Sequence, residues 1–319
     1  MTNSAPQDSS RTSEPAFLNF LFKESFNSVL VHRFRKIFFK SLTKNSSSLF
    51  LRGRDIISIN PQINGIHEPV ITSLINNFAD EGYSDFLVDI GANIGLISCQ
   101  TGNRFKQVHM FEPNPYCCKI LEVNTLIALN KTDYRINNYG LGDENKKCLL
   151  TVPRHNWGGA FIKDKSNSYD DRILANKDEF ESIIDSNYFT VDIEIRKASE
   201  ALDDVFKDLI DKNLTKGVIK IDVEGFEPTV LKGIAESIPP QLNALIIFES
   251  LDAAFDMATI VRSFNGRAIP YKLVRQTPWK NHWPKALKAL ALLFKPEFSN
   301  RIMANKDEDW SGNIILQID

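Results

Sequence analysis

Residues Phe86–Gly95 read FLVDIGANIG, and this stretch decides the fold. An apolar run leads to Asp89, and the composition then changes to glycines separated by a small and a polar residue. Such a run is typical of a strand buried on both faces, and the glycines after it indicate a tight turn. Because Leu96 and Ile97 follow, we expect the turn to open a helix. A strand, a glycine turn and a helix N-terminus place unpaired N–H groups beside an open crevice, which predicts a nucleotide-type binding site.

The composition of the chain limits its class. A length of 319 residues predicts one large α/β domain with an extension. A formal net charge of −2 argues against nucleic acid as a partner. The four cysteines form no CxxC pair, so neither a zinc site nor a disulfide framework is indicated, and a cytoplasmic location is expected. The N-terminus lacks the apolar core of a signal peptide, and no apolar run is long enough to span a membrane, so we expect a protein that is soluble or attached only to a surface.

The N-terminal part differs in composition from the rest. Residues 1–16 are rich in Ser, Thr and Pro, which predicts a disordered tail. Residues 17–80 are expected to form a helical extension, and apolar and basic residues alternate at helical spacing over 17–44. This segment is either a helix packed on the domain with its basic face simply solvated, an anchor on anionic lipid, or a lid over an anionic substrate. The main domain is predicted over 81–319, with insertions at about 154–189 and 276–308, the second containing a short basic amphipathic helix.

A second strand is predicted at Gln107–Phe111, and it ends in Glu112. The following Pro-Asn-Pro stops a strand and starts a helix, because proline cannot continue a central strand and asparagine is a good N-cap. This position places a carboxylate at the carboxyl end of the strand next to the first. A carboxylate there can accept the hydrogen bonds of a ribose diol, as in adenosine-type sites.

The third strand is predicted at Tyr134–Asn138, which gives a strand order of 3-2-1 with right-handed connections. Small residues after this strand leave room for a flat ring. Further strands are expected at Ala244–Phe248 and Tyr271–Val274, and a last, antiparallel strand at Asn313–Ile318. The pattern therefore predicts a doubly wound, mostly parallel α/β sheet.

The stretch Val218–Gly233, VIKIDVEGFEPTVLKG, carries charged residues at every second position of a predicted strand. Period two places Lys220, Asp222 and Glu224 on one side, which is unusual in a buried parallel strand unless its tip enters a site. We therefore expect Asp222 and Glu224 to face the crevice beside the glycine turn.

The chain resembles the FkbM-type family of S-adenosylmethionine-dependent methyltransferases in three motifs, which follow one another as DIGANIG, FEPNP and KIDVEGFEPTVLKG. The loop Asn156–Gly159 is also similar to that family's N-x-G-G sequence. The resemblance implies a class I, Rossmann-like methyltransferase domain. It also implies an O-methyltransferase that acts on a hydroxyl, often of a sugar in a polysaccharide, lipopolysaccharide or glycosylated product. A glycan acceptor and contact with the inner face of a membrane are the expected partners.

The resemblance also implies roles for individual residues. The methionine end of S-adenosylmethionine would be surrounded by Asp89, Gly91, Asn93 and Gly95, and the ribose would be held by Glu112. The adenine would lie beside Gly140, Leu141 and Asp143. The methionine moiety and the acceptor would be faced by the carboxylates of Asp222 and Glu224.

The proton acceptor remains open between Asp222, Glu224 and His155, whose loop is expected to roof the site. Strand-end oxygens of Asp222, Glu224 and Glu249 could instead collect Mg²⁺. Two other functions are alternatives. A non-catalytic docking subunit of a glycan-assembly complex would keep the fold without the chemistry. A nicotinamide oxidoreductase would also need a glycine turn, but the turn here does not match G-x-G-x-x-G.

Overall fold

A computed structural model describes residues 26–163, 167, 186–251, 255–276, 284, 299–304 and 309–319 of the chain. The chain divides into two compact units, 1–44 and 45–319. In the first, helix α1 spans Phe26–Leu42 and contains no acidic residue. The predicted tail at 1–16 and the predicted basic helix within 276–308 lie outside the described residues, apart from Pro284 and the short stretch 299–304.

The second unit is built on a sheet of eight strands in the order β11-β10-β12-β9-β8-β1-β2-β3. Strands β9, β8, β1, β2 and β3 run parallel, and β12 and β10 are added antiparallel at one end. The predicted order 3-2-1 and the antiparallel last strand are confirmed. The strands are β1 (Phe86–Ile90), β2 (Gln107–Phe111), β3 (Asp133–Asn137), β8 (Lys216–Ile221), β9 (Asn243–Ser250), β10 (Ala268–Gln276), β11 (Ser299–Met303) and β12 (Gly312–Ile318).

Helices cover both faces of this sheet, because its central strands are apolar on both sides. The side chains of Phe86 and Val88 pack on one face and that of Leu87 on the other. Each covering helix carries an apolar stripe at i, i+3 and i+4 spacing. The described helices of this unit are α2 (Ile56–Asn64), α3 (Pro69–Asp80), α4 (Leu96–Thr101), α5 (Pro115–Ala128), α6 (Ala198–Asp211), α7 (Glu227–Ser237) and α8 (Met257–Ser263).

A second sheet of four strands, in the order β4-β7-β5-β6, follows β3 along the chain. Strand β7 pairs antiparallel with β5 and parallel with β4, and a small apolar core lies beside them. The strands are β4 (Gly140–Gly142), β5 (Lys146–Pro153), β6 (Phe161–Ile162) and β7 (Tyr188–Lys197). The small residues expected near an adenine ring thus belong to β4.

The domain boundary differs from the sequence interpretation, which assigned residues 17–80 to one extension. The structure places 45–80 in the larger unit. The reason is the amphipathic pattern of α3, whose Ile71, Leu74, Ile75 and Phe78 lie in the same core as Leu87 of β1. Burial of this apolar stripe ties the helix to the sheet.

Within the described ranges, no helix combines the length and the apolar character that crossing a membrane would require.

Candidate active site

The glycine turn after β1 brings β1, β2 and β8 together at their carboxyl ends. The backbone N–H groups of Gly91 and Ala92 both donate to the carbonyl of Phe111, each at 3.0 Å, and the N–H of Asp222 donates to the carbonyl of Ile90 at 2.8 Å. Gly91 has a φ of 83°, and a Cβ at this position would overlap the backbone oxygen of Asp222. Only glycine satisfies both the left-handed backbone and this close approach.

Glu112 is buried directly after β2 and receives two backbone hydrogen bonds. Its Oε2 accepts the N–H of Asn93 at 2.8 Å, and its Oε1 accepts the N–H of Asn114 at 2.7 Å. Burial raises the pKa of this carboxyl group to about 7, although both hydrogen bonds act in the opposite direction. Each carboxylate oxygen has a second lone pair, so Glu112 keeps acceptor capacity toward a ligand hydroxyl.

A buried lysine links β1 and β8. Asp89 and Lys220 are partners in the register of the two strands, and the Lys220 Nζ lies 3.6 Å from the Asp89 Oδ1 and 3.0 Å from the Asp222 Oδ2. Burial alone would lower the pKa of Lys220, but the charges of Asp222 and Asp89 outweigh it and raise that pKa. Ser98 donates to the other oxygen of Asp89 at 2.6 Å. The Asp89 Oδ1 is buried and accepts no hydrogen bond from the part of the chain that the structure describes, which leaves an acceptor for a ligand.

The roof of the site joins α2 to the loop Asn156–Gly159, and Asp55 connects the two. The Asp55 Oδ2 lies 2.9 Å from Arg52 and accepts the N–H of Trp157 at 3.3 Å, while its Oδ1 caps α2 through Ile57. The Arg52 guanidinium lies 4.2 Å from the centroid of the Trp157 ring. A Cβ on Gly158 would lie 2.9 Å from the side chains of Asn93 and Ile57, so the roof approaches the glycine turn closely.

Trp157 also belongs to a group of aromatic rings at this end of the fold. Its ring centroid is 6.0 Å from both Tyr116 and Phe189. The indole N–H is buried and has no hydrogen-bond partner among the described residues. Trp157 therefore offers a ligand an aromatic surface and one hydrogen-bond donor.

Two residues before α3 complete the wall. His67 and Glu68 both line the cavity. Burial lowers the pKa of His67 to about 4, so this imidazole is neutral near neutral pH. Burial raises the pKa of Glu68 to about 7, Lys220 lowers it, and Asp222 and Glu249 raise it further.

These elements enclose a cavity of about 410 Å³, a size that suits a small-molecule ligand. The carboxyl ends of the parallel strands form its floor, and α2 with the loop at 156–160 forms its roof. The polar and glycine residues that line it are Asn60, His67, Glu68, Asp89, Gly91, Asn93, Glu112, Gly140, Asn156, Gly158, Gly159, Lys220, Asp222, Glu224 and Glu249.

Most of the site residues predicted from the sequence meet in this cavity. They are Asp89, Gly91, Asn93, Glu112, Gly140, Leu141, Asp222 and Glu224.

Three predicted residues do not line the cavity. Gly95 instead begins α4 with a φ of 83° and faces Leu121. Asp143 is exposed, with its carboxylate 3.9 Å from Lys146. The backbone oxygen of His155 accepts the N–H of Ile56, and this histidine lies next to the lining residue Asn156. A catalytic role for His155 stays a prediction.

The sequence interpretation missed His67, Glu68 and the α2 residues of the roof. Their sequence signal is weak, because a glutamate before a helix-starting proline is ordinarily an exposed residue. The structure also bears on the Mg²⁺ alternative. In the part of the chain that it describes, no three His, Cys, Asp or Glu side chains are grouped as a metal ion would require.

The fold and the cavity define a Rossmann-like α/β protein with a nucleotide-type cleft at the first glycine turn. Residues 89–265, more than half of the chain, match the sequence model described as the methyltransferase FkbM domain. The chain therefore belongs to the FkbM methyltransferase family, as its motifs indicated, and it is an S-adenosylmethionine-dependent methyltransferase.

Two sequence relatives that are named methyltransferases agree with this assignment. The chain is 26% identical over 216 residues to "Methyltransferase sdnD" of Sordaria araneosa, covering 60% of this chain and 83% of the relative. It is 24% identical over 205 residues to "Methyltransferase 1" of Beauveria bassiana, covering 62% and 77%. An O-methyltransferase from Bacillus cereus, solved in complex with SAH, aligns with a TM-score of 0.37 at 9% identity over 79% of this chain and 82% of that structure.

The residues present fit S-adenosylmethionine. The cleft contains a buried carboxylate after β2, a glycine whose Cβ position is filled by neighbouring backbone, and buried oxygens of Asp89 and Asn93 that accept no hydrogen bond. The cofactor has ribose hydroxyl and ammonium donors that such oxygens recognise. Glu112 would hold the ribose, and Asp89 and Asn93 would hold the amino acid end.

Proposed function

We propose that this methyltransferase transfers the methyl group to a hydroxyl oxygen of a sugar, in a polysaccharide, a lipopolysaccharide or a glycosylated product. When bound, S-adenosylmethionine supplies a methyl group already activated by its sulfonium. The protein then has to orient the acceptor, exclude water and accept one proton.

The observation that carries the proposal is the division of the cavity about β1. Glu112 follows β2 on one side of that strand, and on the other side Asp222 and Glu224 follow β8 and Glu249 lies near the end of β9. Because the first side fits the cofactor, the second side is available to the acceptor. Carboxylates satisfy the many O–H donors of a sugar, and the Trp157 ring in the roof offers a surface on which a sugar can pack.

The first experiment measures cofactor binding. Calorimetric titration of the purified protein with S-adenosylmethionine should give binding, and titration with NAD should give none. Glu112→Ala should weaken binding of S-adenosylmethionine by about 1–3 kcal/mol, the cost of lost charge-assisted hydrogen bonds. Glu122→Ala, on the exposed face of α5, is the matched control. Binding of neither cofactor would favour the non-catalytic docking subunit, and binding of NAD alone would favour an oxidoreductase.

The second experiment measures transfer. The protein is incubated with methyl-labelled S-adenosylmethionine and a panel of methyl glycosides of hexoses and 6-deoxyhexoses, with an amino sugar and a catechol as competitors. Label in an alkali-stable ether on a glycoside supports the proposal. Label on the amine alone, on the catechol alone, or on no acceptor contradicts it.

We also propose that α1 contacts an anionic membrane surface. Val31, Phe34 and Phe38 recur at i, i+3 and i+7 and are exposed. Arg33, Lys36 and Lys40 recur at the same spacing on another face of the helix and are also exposed. An apolar face beside a basic face, with no acidic residue, suits the interface of anionic lipid.

Co-sedimentation with vesicles at low salt tests this contact. Binding should require phosphatidylglycerol and be absent with phosphatidylcholine alone. Reversing the three basic charges to glutamate should remove roughly 1 kcal/mol of binding free energy or more per residue. Equal sedimentation of the wild type with both lipids, or of the variant with the wild type, would contradict the contact without affecting the enzymatic proposal.

A further inference from the structure

Glu68 has a backbone conformation that its residue type does not favour. It is the residue before α3, with φ 40° and ψ 66°, and Pro69 follows it. A residue with a Cβ rarely adopts the left-handed region, and a residue before proline is restricted further. Strained positions of this kind occur where the surroundings fix them, and functional sites are a common place to find them.

Hydrogen bonds from two directions fix this turn. The N–H of Thr72 donates to the carbonyl of Glu68 at 2.9 Å, and the Thr72 hydroxyl donates to the carbonyl of His67 at 2.7 Å. The N–H of His67 donates to the side chain of Gln100 on α4 at 3.0 Å. The conformation of Glu68 is therefore imposed by its backbone partners.

The side chain of Glu68 is not used to stabilise the helix. It makes no capping hydrogen bond to α3. Among the residues that the structure describes, none donates a hydrogen bond to this carboxylate or forms an ion pair with it within 4.0 Å. The carboxylate lines the main cavity and also a smaller one of about 20 Å³, and both cavities include Lys220, Asp222 and Glu249.

The charged groups that face Glu68 come from three strands. They are Asp89 of β1, Lys220 and Asp222 at the end of β8, and Glu249 of β9. Lys220 is already paired with Asp222 at 3.0 Å and lies 3.6 Å from Asp89. Asp89 is only 1% exposed, and its Oδ1 accepts no hydrogen bond. This region thus combines an unsatisfied buried acceptor with two carboxylates, those of Glu68 and the more exposed Glu249, which accept no hydrogen bond from the described residues.

We propose that Glu68 is the catalytic base, which removes the proton of the acceptor hydroxyl. The inference rests on the proposed O-methylation. A bond forms between the acceptor oxygen and the methyl carbon as the carbon–sulfur bond breaks, and the sulfur keeps that electron pair. The hydroxyl proton moves to the Glu68 carboxylate. The products are a methyl ether, neutral S-adenosylhomocysteine and a protonated Glu68, so charge and atoms balance.

Two of the other carboxylates are less available for this role, and Glu249 is more exposed to solvent than Glu68. Asp222 is paired with Lys220, and both oxygens of Glu112 receive backbone N–H groups. The raised pKa of Glu68, about 7, also suits a group that must accept and release a proton near neutral pH.

The test compares Glu68→Gln with Glu81→Gln, a matched exposed glutamate at the other end of α3. On the glycoside that the wild type methylates, Glu68→Gln should lower kcat by about 10²–10⁴-fold, and its affinity for S-adenosylmethionine should stay within about threefold. The wild-type kcat should rise with pH through about 7, and that rise should be absent in Glu68→Gln. Glu81→Gln should match the wild type throughout.

Two further measurements separate a base from a structural residue. Formate should restore part of the activity of Glu68→Ala, since an external carboxylate replaces the lost one. Glutamate labelled with ¹³C at the carboxyl carbon should give a signal that titrates near pH 7 and is missing from Glu68→Gln.

The outcomes distinguish the two proposals. If the wild type methylates no hydroxyl of the panel, O-methylation and the role of Glu68 both fail. If the wild type is active and Glu68→Gln keeps its rate and pH profile, only the role of Glu68 fails. Loss of cofactor affinity in Glu68→Gln, absence of formate rescue, or titration of the Glu68 carboxyl near 4.5 would each also overturn it.

Discussion

Replacing Glu112 by glutamine should change the stability of the protein in a way that depends on pH. The raised pKa of this buried carboxyl, about 7 against an ordinary 4.5, means that the folded state prefers the protonated form. The stabilisation that comes from this preference for the protonated Glu112 is fully present below about pH 4.5 and is lost as the pH rises through 7. Glutamine has no such proton and lacks this dependence.

The magnitude follows from the two pKa values. One unit of difference corresponds to about 1.4 kcal/mol, and integration between pH 5 and pH 8 gives a loss of about 2–3 kcal/mol for the wild type. At pH 5 the variant should be the less stable protein by about 1–3 kcal/mol. The reason is that the amide of glutamine has only one oxygen to accept the backbone N–H groups of Asn93 and Asn114, so its NH₂ group faces one of these two N–H donors without an acceptor between them. Near pH 8 the two proteins should be about equally stable.

Urea unfolding at several pH values measures this difference. His67 and His109, whose pKa values burial lowers to about 4, also make stability pH-dependent, with the opposite sign. Subtracting the wild-type curve from the variant curve cancels their contribution. Glu81→Gln serves as the control, because this side chain is exposed. If the difference between Glu112→Gln and wild type is constant from pH 5 to pH 8, the reasoning is refuted.

Three further substitutions test other parts of the site. Gly91→Ala should abolish binding of S-adenosylmethionine in calorimetry and should lower the unfolding free energy several times as much as Gly266→Ala does. Gly266 has nearly the same φ, about 82°, but open space around it, so Gly266→Ala should lower the unfolding free energy by about 1–2 kcal/mol. Equal losses in the two variants would mean that the close backbone approach at Gly91 is unimportant. Asp55→Ala should lower the unfolding free energy by about 1–3 kcal/mol, because it removes both the cap of α2 and the hydrogen-bond acceptor of the Trp157 N–H. It should also weaken binding of S-adenosylmethionine, and an unchanged affinity would show that the roof does not contribute to cofactor binding. Glu68→Gly should reduce methyl transfer while leaving the unfolding free energy unchanged or raising it by up to about 1 kcal/mol in chemical denaturation, since glycine tolerates this backbone; marked destabilisation would show that Glu68 has a structural role.

The cofactor side of the site could be predicted from the sequence because its signals are local. A strand, its turn and the next helix start lie within about a dozen residues, and glycine and proline act on the backbone directly. The register then places Asp89, Glu112 and Asp222 at the same edge of the sheet, since neighbouring parallel strands end there. The strand order followed from the rule of right-handed crossovers.

The remaining side of the site depends on contacts between distant parts of the chain. Asp55 and Trp157, which join the roof, are 102 residues apart in the sequence. Glu68 lines the same cavity as Lys220 only because α3 packs on the face of the sheet toward which Leu87 also points. Glu68 belongs to no local pattern, so composition and periodicity describe α3 as an ordinary amphipathic helix and leave the residue before it unnoticed.

This difference also suggests a division of roles along the chain. The matched family region begins at Asp89 and contains Asp89, Asn93 and Glu112, which we expect to hold the cofactor. The residues that close the cavity from the other side, on α2 and before α3, precede it. Glycine or asparagine would adopt the left-handed backbone at this position at a lower conformational cost than glutamate, so the fold itself does not require glutamate here. Its presence at this position is therefore best explained by what its carboxylate does in the cavity, and we expect the segment from residue 45 to residue 80 to contribute to acceptor recognition beside Asp222, Glu224 and Glu249.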